Sequence, residues 1–582
     1  MGQDFHLERQ RAVLRDAEAR GMLPALGAYA RFSGPGWLTS ALTLGAGSLG
    51  SSLYLGILAG VGMVWIQPYA MAMGVVMLGA ISYVTLSINE SPFRAINKHV
   101  NPLLGWSWLA AALVANVVWS MPQYGLTFAV MEQNLAPSWF GSEGWLGEGD
   151  GAKYAVSLAA FAACTAVAWS YGSGSAGVRW FDRLLKLVVA IIVLSFIGVV
   201  VRIATTGDGI EWGVVLAGVI PSPRNFTRPA VAFEPLLAAI GNPGTRAFWH
   251  DLIVSQQRDV MLGAGSAAVG VNMTYMLPTL LRTRGWGREF RRLELFDLAT
   301  AMFLPFVIAT GCVIVASAHQ FHAQVPGGFG VDAQGEVVVP ERFRGEYAGM
   351  MAARSSALAA SRGDVPPPAA EEEQLAAMLV RRDASDLAQS LVTLFGGGEE
   401  SDGRFVANIV FGVGVAGMTV SSIALMMLIS GFIVCDATNA PVGGWRFRLG
   451  CLVPSIALLW PVVWQGATKA WLTVAASVVC ASLLPIAYVA FLLLMNRREL
   501  MGGEMLVGWK RLVVNLLMCL AAASAIGAAI SAVLKTSGWP GMGVVAVYLV
   551  VLLVVGAVRR TNQTRDAVRA KLVRGAAAES LT

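Results

Sequence analysis

The sequence predicts an all-α polytopic membrane protein, and three observations predict it. Of the 582 residues, 56% are hydrophobic and 13% charged, and the mean hydropathy is +0.61. A soluble chain of this length has no interior large enough for so much apolar surface. The apolar residues also fall into about twelve runs of roughly 20, the length one helix needs to cross a bilayer. Arginine and lysine collect in the short segments between runs, as they do in cytoplasmic loops.

That distribution accounts for the net charge of +6, so the charge does not indicate a nucleic-acid partner. The expected partners are the lipid bilayer and a small solute or metal ion, with no cofactor. The six cysteines, Cys164, Cys312, Cys435, Cys451, Cys480 and Cys519, are scattered along apolar runs without a CxxC pair. They read as packing residues rather than ligands.

Residues 1–30 are rich in Arg and Glu, lack an apolar core and read as a cytoplasmic helix near the headgroups. Spans 1–7 occupy 31–318, an insertion covers 319–403, spans 8–12 occupy 404–560, and 561–582 is a basic cytoplasmic tail. The first five spans fall near 35–60, 62–86, 104–131, 152–171 and 183–203. A polar excursion over 204–257 precedes span 6 at 259–281 and span 7 at 295–318. The last five fall near 405–435, 449–466, 471–495, 512–534 and 541–558.

The densest basic loop, with Arg282, Arg284, Arg288, Arg291 and Arg292, follows span 6 and is placed inside. Counting outward puts both termini in the cytoplasm of a cell bounded by this membrane and the insertion outside. The insertion carries Pro366-Pro367-Pro368, Glu371-Glu372-Glu373 and a helical apolar pattern at Leu375, Met378, Leu379, Leu387, Leu391 and Leu394. It reads as a cap, partly helix and partly linker. No nucleophile–base or metal-ligand cluster is visible in it, and an enzyme is not expected.

Two spans interrupt their own helices. Span 1 turns from apolar residues into Gly45-Ala46-Gly47-Ser48-Leu49-Gly50-Ser51-Ser52, and span 6 does so at Gly263 to Tyr275. Such segments have weak helix propensity. Within a bilayer, freed backbone groups must face protein, water or a solute. Glycine and serine also serve as close-packing positions. The pairing of the two breaks, in corresponding places of two halves, favours a midplane site at Gly45–Ser52 and Gly270–Thr274.

Gly34-Pro35-Gly36 opening span 1, the loop around Ser91-Pro92-Phe93 and the paired breaks resemble the Nramp family of divalent metal-ion transporters. The resemblance covers about 30–560 apart from the insertion. It implies a LeuT-type fold of two inverted five-helix repeats, spans 1–5 and 6–10, followed by two further spans. It also implies transport by alternating access. The family's Asp-Pro-Gly-Asn in span 1 corresponds here to Ser48-Leu49-Gly50-Ser51. Its Met-Pro-His in span 6 corresponds to Asn272-Met273-Thr274, or to Met273-Thr274-Tyr275 one residue on. On this match the substrate-binding residues are Ser48, Gly50, Ser51, Gly270, Asn272, Met273 and Thr274, with Ser48, Ser51, Asn272 and Thr274 as metal donors. Met121-Pro122-Gln123 imitates the second motif but lies in span 3, where it reads as a proline kink.

The replacements change the expected chemistry. Hydroxyls, amides and carbonyls are hard, neutral donors, whereas thioether and carboxylate suit transition metals. Each lost carboxylate removes roughly 4 kcal/mol of attraction per unit of cation charge at 4 Å and an effective dielectric of 20. A divalent ion, magnesium- or manganese-like, then keeps much of its water, as magnesium prefers. The alternatives are an amino acid or other small organic solute, whose carboxylate faces half-helix N-termini, and a sensor that transports nothing. Asn116 and Gln123 in span 3 and Asn408 in span 8 read first as interhelical hydrogen-bonding groups and second as pathway lining. Asp297, near the start of span 7, and Asp436, ending span 8, are either proton carriers or solvated helix ends. The five histidines fall outside the spans.

Overall fold

The computed structural model describes residues 2–88, 90–141, 144–147, 149–171, 209–331, 337–362, 365–382, 401–464 and 472–579, with scattered positions between 183 and 205. Among the described residues, ten helices are long and apolar enough to cross a membrane. One of them, Gly508–Arg559, holds spans 11 and 12, joined at Gly538, whose φ of 59° favours glycine. Span 5 lies largely outside the described residues, though the scattered positions within it are helical. The protein is multi-pass, and among the described residues the candidate spans follow the predicted order.

Span 1 is two helices, Pro35–Thr43 and Ala46–Ala59, with Leu44 and Gly45 between them. Pro35 sits in the first turn, where its missing N–H leaves nothing unpaired. Span 6 is also two helices, Pro243–Ala268 and Val271–Thr283, separated by Val269 and Gly270. Its first half starts well before the predicted residue 259, because Asn242 caps a helix there by accepting from the Gly244 and Thr245 amides. The end of the predicted polar excursion, 243–257, is therefore a helical extension of span 6.

The insertion holds a short antiparallel pair, Gly330–Val331 with Val337–Val338, and helices Glu341–Arg362 and Ala370–Leu379. Leu375, Met378 and Leu379 are buried as the apolar pattern predicts, while Leu387, Leu391 and Leu394 lie outside the described residues. Its anchor is ionic. Arg354 and Glu372, with side chains only 2% and 3% exposed, pair through Nε at 2.5 Å and Nη2 at 3.0 Å. Glu372 also accepts from Trp249 Nε1 on the span 6 extension at 2.9 Å. Tyr54 in the second half of span 1 donates to the Arg382 carbonyl at 2.6 Å. The insertion thus sits on both broken spans.

The N-terminal helices, Gly2–Arg20 and Met22–Phe32, lie against the loop and helix that follow span 6. Arg11 pairs with Glu289 at 2.5 Å, and the Tyr29 and Phe296 rings are 5.6 Å apart.

Candidate functional site

The break in span 1 is glycine-rich because neighbours press on it. A Cβ added at Gly45 would lie 2.7 Å from Ser422 Oγ, and one at Gly47 only 2.3 Å from the Trp119 ring. The same indole reaches the other break, where its Nε1 is 3.7 Å from a Cβ built at Gly270. Trp119 of span 3 therefore lies across both interruptions.

The amides at the start of each second half are satisfied by side chains. Ala46 N–H donates to Gln123 Oε1 at 3.3 Å, and Met273 N–H donates to Asn272 Oδ1 at 3.0 Å. The Ser48 hydroxyl bonds to the Thr43 carbonyl and approaches the Ala267 carbonyl at 3.4 Å, which ties one break to the other. A polar relay runs outward from there. Asn272 Nδ2 donates to Asn116 Oδ1 at 3.1 Å, and Asn116 Nδ2 donates to Ser430 Oγ at 3.0 Å, linking spans 6, 3 and 8. Ser120 donates to the Met426 sulfur at 3.3 Å.

Between the breaks lies a cavity of about 30 Å³, lined among others by Ser48, Trp119, Gln123, Asn272, Met273 and Met426. A water needs roughly 10–15 Å³ on this measure, so the space takes one or two waters or one bare ion. Among the described residues no charged side chain lines it. Nor does any group of three His, Cys, Asp or Glu among them form a metal cluster. The donors are hydroxyl, amide, carbonyl and two thioethers.

The structure brings Ser48, Gly270, Asn272, Met273 and Gln123 together and sets Asn116 one hydrogen bond behind them. It places the remaining expected residues elsewhere. Gly50 allows close contact with span 10, since a Cβ there would lie 2.3 Å from Thr473 Oγ1. Ser51 is buried toward Gly263, its hydroxyl without a hydrogen bond among the described residues. Thr274 accepts from Trp108 Nε1 at 2.9 Å and donates to the Val271 carbonyl. The four expected metal donors are thus not gathered around one point. The unwinding falls at Leu44 and Gly45, upstream of Ser48-Leu49-Gly50-Ser51, so those four residues stay helical and point in different directions. Asn408 lies in the helix Ser401–Thr438, with its side chain outside the described residues.

Asp297 is neither a cavity residue nor a solvated end. It is fully buried and accepts from the Gly34 and Gly36 amides at 3.1 and 2.7 Å and from the Ser33 hydroxyl. It caps the first half of span 1. Asp436 accepts from Tyr275 Oη at 2.7 Å. Gln123, part of the apparent decoy, holds the start of the second half of span 1. Trp119 and Met426 were missed by sequence reasoning. The helical spacing of Asn116, Trp119, Ser120 and Gln123 is the signal that marks one face of span 3.

Nothing among protein-family models or curated proteins matches the chain. Solved structures do. The structure is similar to that of a point mutant of the Eremococcus coleocola manganese transporter, with a TM-score of 0.58 and 13% identity over 91% of this chain and 93% of that one. It is similar also to the same transporter in complex with an aromatic bis-isothiourea substituted compound, with a TM-score of 0.56 and 14% identity over 92% of each chain. A likeness at this identity shows the fold: an all-α polytopic membrane protein of the LeuT type.

Proposed function

We propose that the protein is a transporter that moves a metal cation through the junction of spans 1 and 6 by alternating access. The observation that carries this reading is the cavity where both breaks meet, ringed by oxygen and sulfur donors. The fold shared with a manganese transporter supports it. Ser48, Gln123, Asn272, Met273 and Met426 are the proposed ligands or water-holding groups, with break carbonyls beside them. Two thioethers make the set softer than the motif replacements alone suggest. A divalent ion in this uncharged site keeps part of its hydration shell, and that requires a wider state than the one described. The proposed setting is the cytoplasmic membrane, with both termini inside and the insertion outside.

The organic-solute reading needs free amides at the half-helix N-termini to receive a carboxylate. Here Gln123 and Asn272 already occupy amides at both breaks, which favours the cation. Uptake into proteoliposomes tests the choice. Manganese or magnesium accumulation that is lost in Ser48→Ala and Asn272→Ala supports the proposal. Amino-acid uptake without metal flux, or no flux from folded protein, overturns it.

A further inference from the structure

Glu294 is a buried carboxyl one turn before Asp297 on the helix Arg291–Asp297 that leads into span 7. It is 0% exposed, and the Ser82 hydroxyl of span 2 is the one uncharged polar group that acts on its carboxyl among the described residues. An ionised carboxylate there is costly, because the buried group shares the Arg284 charge with Asp297. Asp297 beside it holds three donors from Ser33, Gly34 and Gly36 and takes the ionised role. Two carboxyls this close do not both ionise in a sealed site.

The surroundings couple this pair to the broken span. The Arg284 guanidinium, from the loop after span 6, packs so tightly on Gly34 that a Cβ there would lie 2.2 Å from Nη1. A Cβ on Gly36 would lie 2.8 Å from the Asp297 carboxyl carbon. Span 2 contributes Ser82, a buried hydroxyl facing Glu294. From the N-terminal arm come Tyr29, bonded to Glu18, and Arg11, paired with Glu289. On the pair's own element, Arg291 is engaged by Glu504 and Arg292 reaches toward Glu18. Arg284 is the cation that acts on both carboxyls. Directly beyond, the helix widens into a π-turn over Leu298–Phe303, a wound defect that often marks functional positions.

We infer that Glu294 and Asp297 form a proton-binding site whose occupancy keeps the first half of span 1 docked. With the proton on Glu294, one negative charge sits under the Gly34 and Gly36 amides and the half-helix is pinned. When the proton leaves to water on the face of the N-terminal arm, two carboxylates face each other in a dry site. Hydrating them requires the Gly34–Thr43 segment to lift away. Intramembrane carboxyls of this kind serve as proton relays in transporters. The inference stands apart from the identity of the substrate: its carboxyls lie at the start of the half-helix whose far end, Leu42 and Thr43, lines the cavity.

Hydrogen exchange of the full-length protein, without metal and from mildly acidic to alkaline pH, tests it. After normalisation to the intrinsic rate at each pH, exchange of 34–43 is expected to step upward as pH rises. An infrared carboxylic-acid band is expected to disappear over the same interval. Glu294→Gln, which mimics the protonated form permanently, removes both the step and the band. Glu294→Met serves the same purpose if the amide variant does not fold. A flat wild-type profile, or a step that survives in the variant, overturns the proposal. Failure of metal uptake alone leaves this result unaffected.

Discussion

Spans 1 and 6 are each gripped twice, at the break and at one end, and the two grips differ in kind. At the breaks every tie is neutral: Gln123 on Ala46, Asn272 on Met273, and Ser48 on two carbonyls. At the ends carboxyl groups make the ties: Asp297 under the start of span 1, and Glu372, itself paired with Arg354 inside the insertion, on Trp249 of the span 6 extension. A neutral hydrogen bond contributes about 1 kcal/mol net, whereas removing one partner of a buried ion pair costs about 3–5 kcal/mol. Rearrangement is therefore cheapest at the junction, and on the proposed alternating-access reading the half-helices would move as rigid pieces.

The strongest way to break this contrast is Glu372→Ala. It strands a buried Arg354 and is expected to destabilise the insertion by about 3–5 kcal/mol, read as protease sensitivity within 341–379. Replacing both partners, Arg354→Met with Glu372→Leu, restores most of the loss. Burial opposes ionisation of Glu372, but bonds from Arg354, Trp249 and the Ala369 amide outweigh it and hold the carboxyl below its ordinary range. The ionic tie therefore contributes in full above the ordinary glutamate range and fades as pH falls through the lowered value. Protease sensitivity should rise only in acid and be flat in the double variant.

Gly47→Ala comes next. Its new methyl meets the Trp119 ring and should cost about 1–3 kcal/mol in thermal unfolding, relieved by Trp119→Leu in the same chain. Gln123→Leu leaves the Ala46 amide unpaired for a similar or smaller loss, about 1–3 kcal/mol, with reduced uptake. Asn116→Leu, which cuts the relay to Ser430, should cost the least, about 0.6 kcal/mol. An Asn116 effect larger than that of Gln123 would show that the relay, rather than the capped amide, holds the junction.

The fold was legible because a bilayer sets helix length, and the apolar runs between basic loops carry that length in plain view. The break in span 6 was legible as a stretch, Gly263 to Tyr275, and the structure narrows it to Val269 and Gly270. The break in span 1 was placed too far downstream. From Gly45 to Ser52 nearly every residue is small, so propensity offers no preference, and the choice is made by Gln123 and Ser422 from other spans. Asp297 read as either a proton carrier or a solvated helix end beside a basic loop. The docking of Gly34 and Gly36 over it takes it out of water, and nothing in its own sequence neighbourhood encodes that.

The seat of the insertion on Trp249 makes it a handle on the machine. Any tilt of the long first half of span 6 must carry this attached mass with it, so the lever arm projects beyond the apolar bundle. If the proposed cycle operates, a binder raised against helices Glu341–Arg362 and Ala370–Leu379 would act as a brake on it from a distance, without touching the cavity at the breaks.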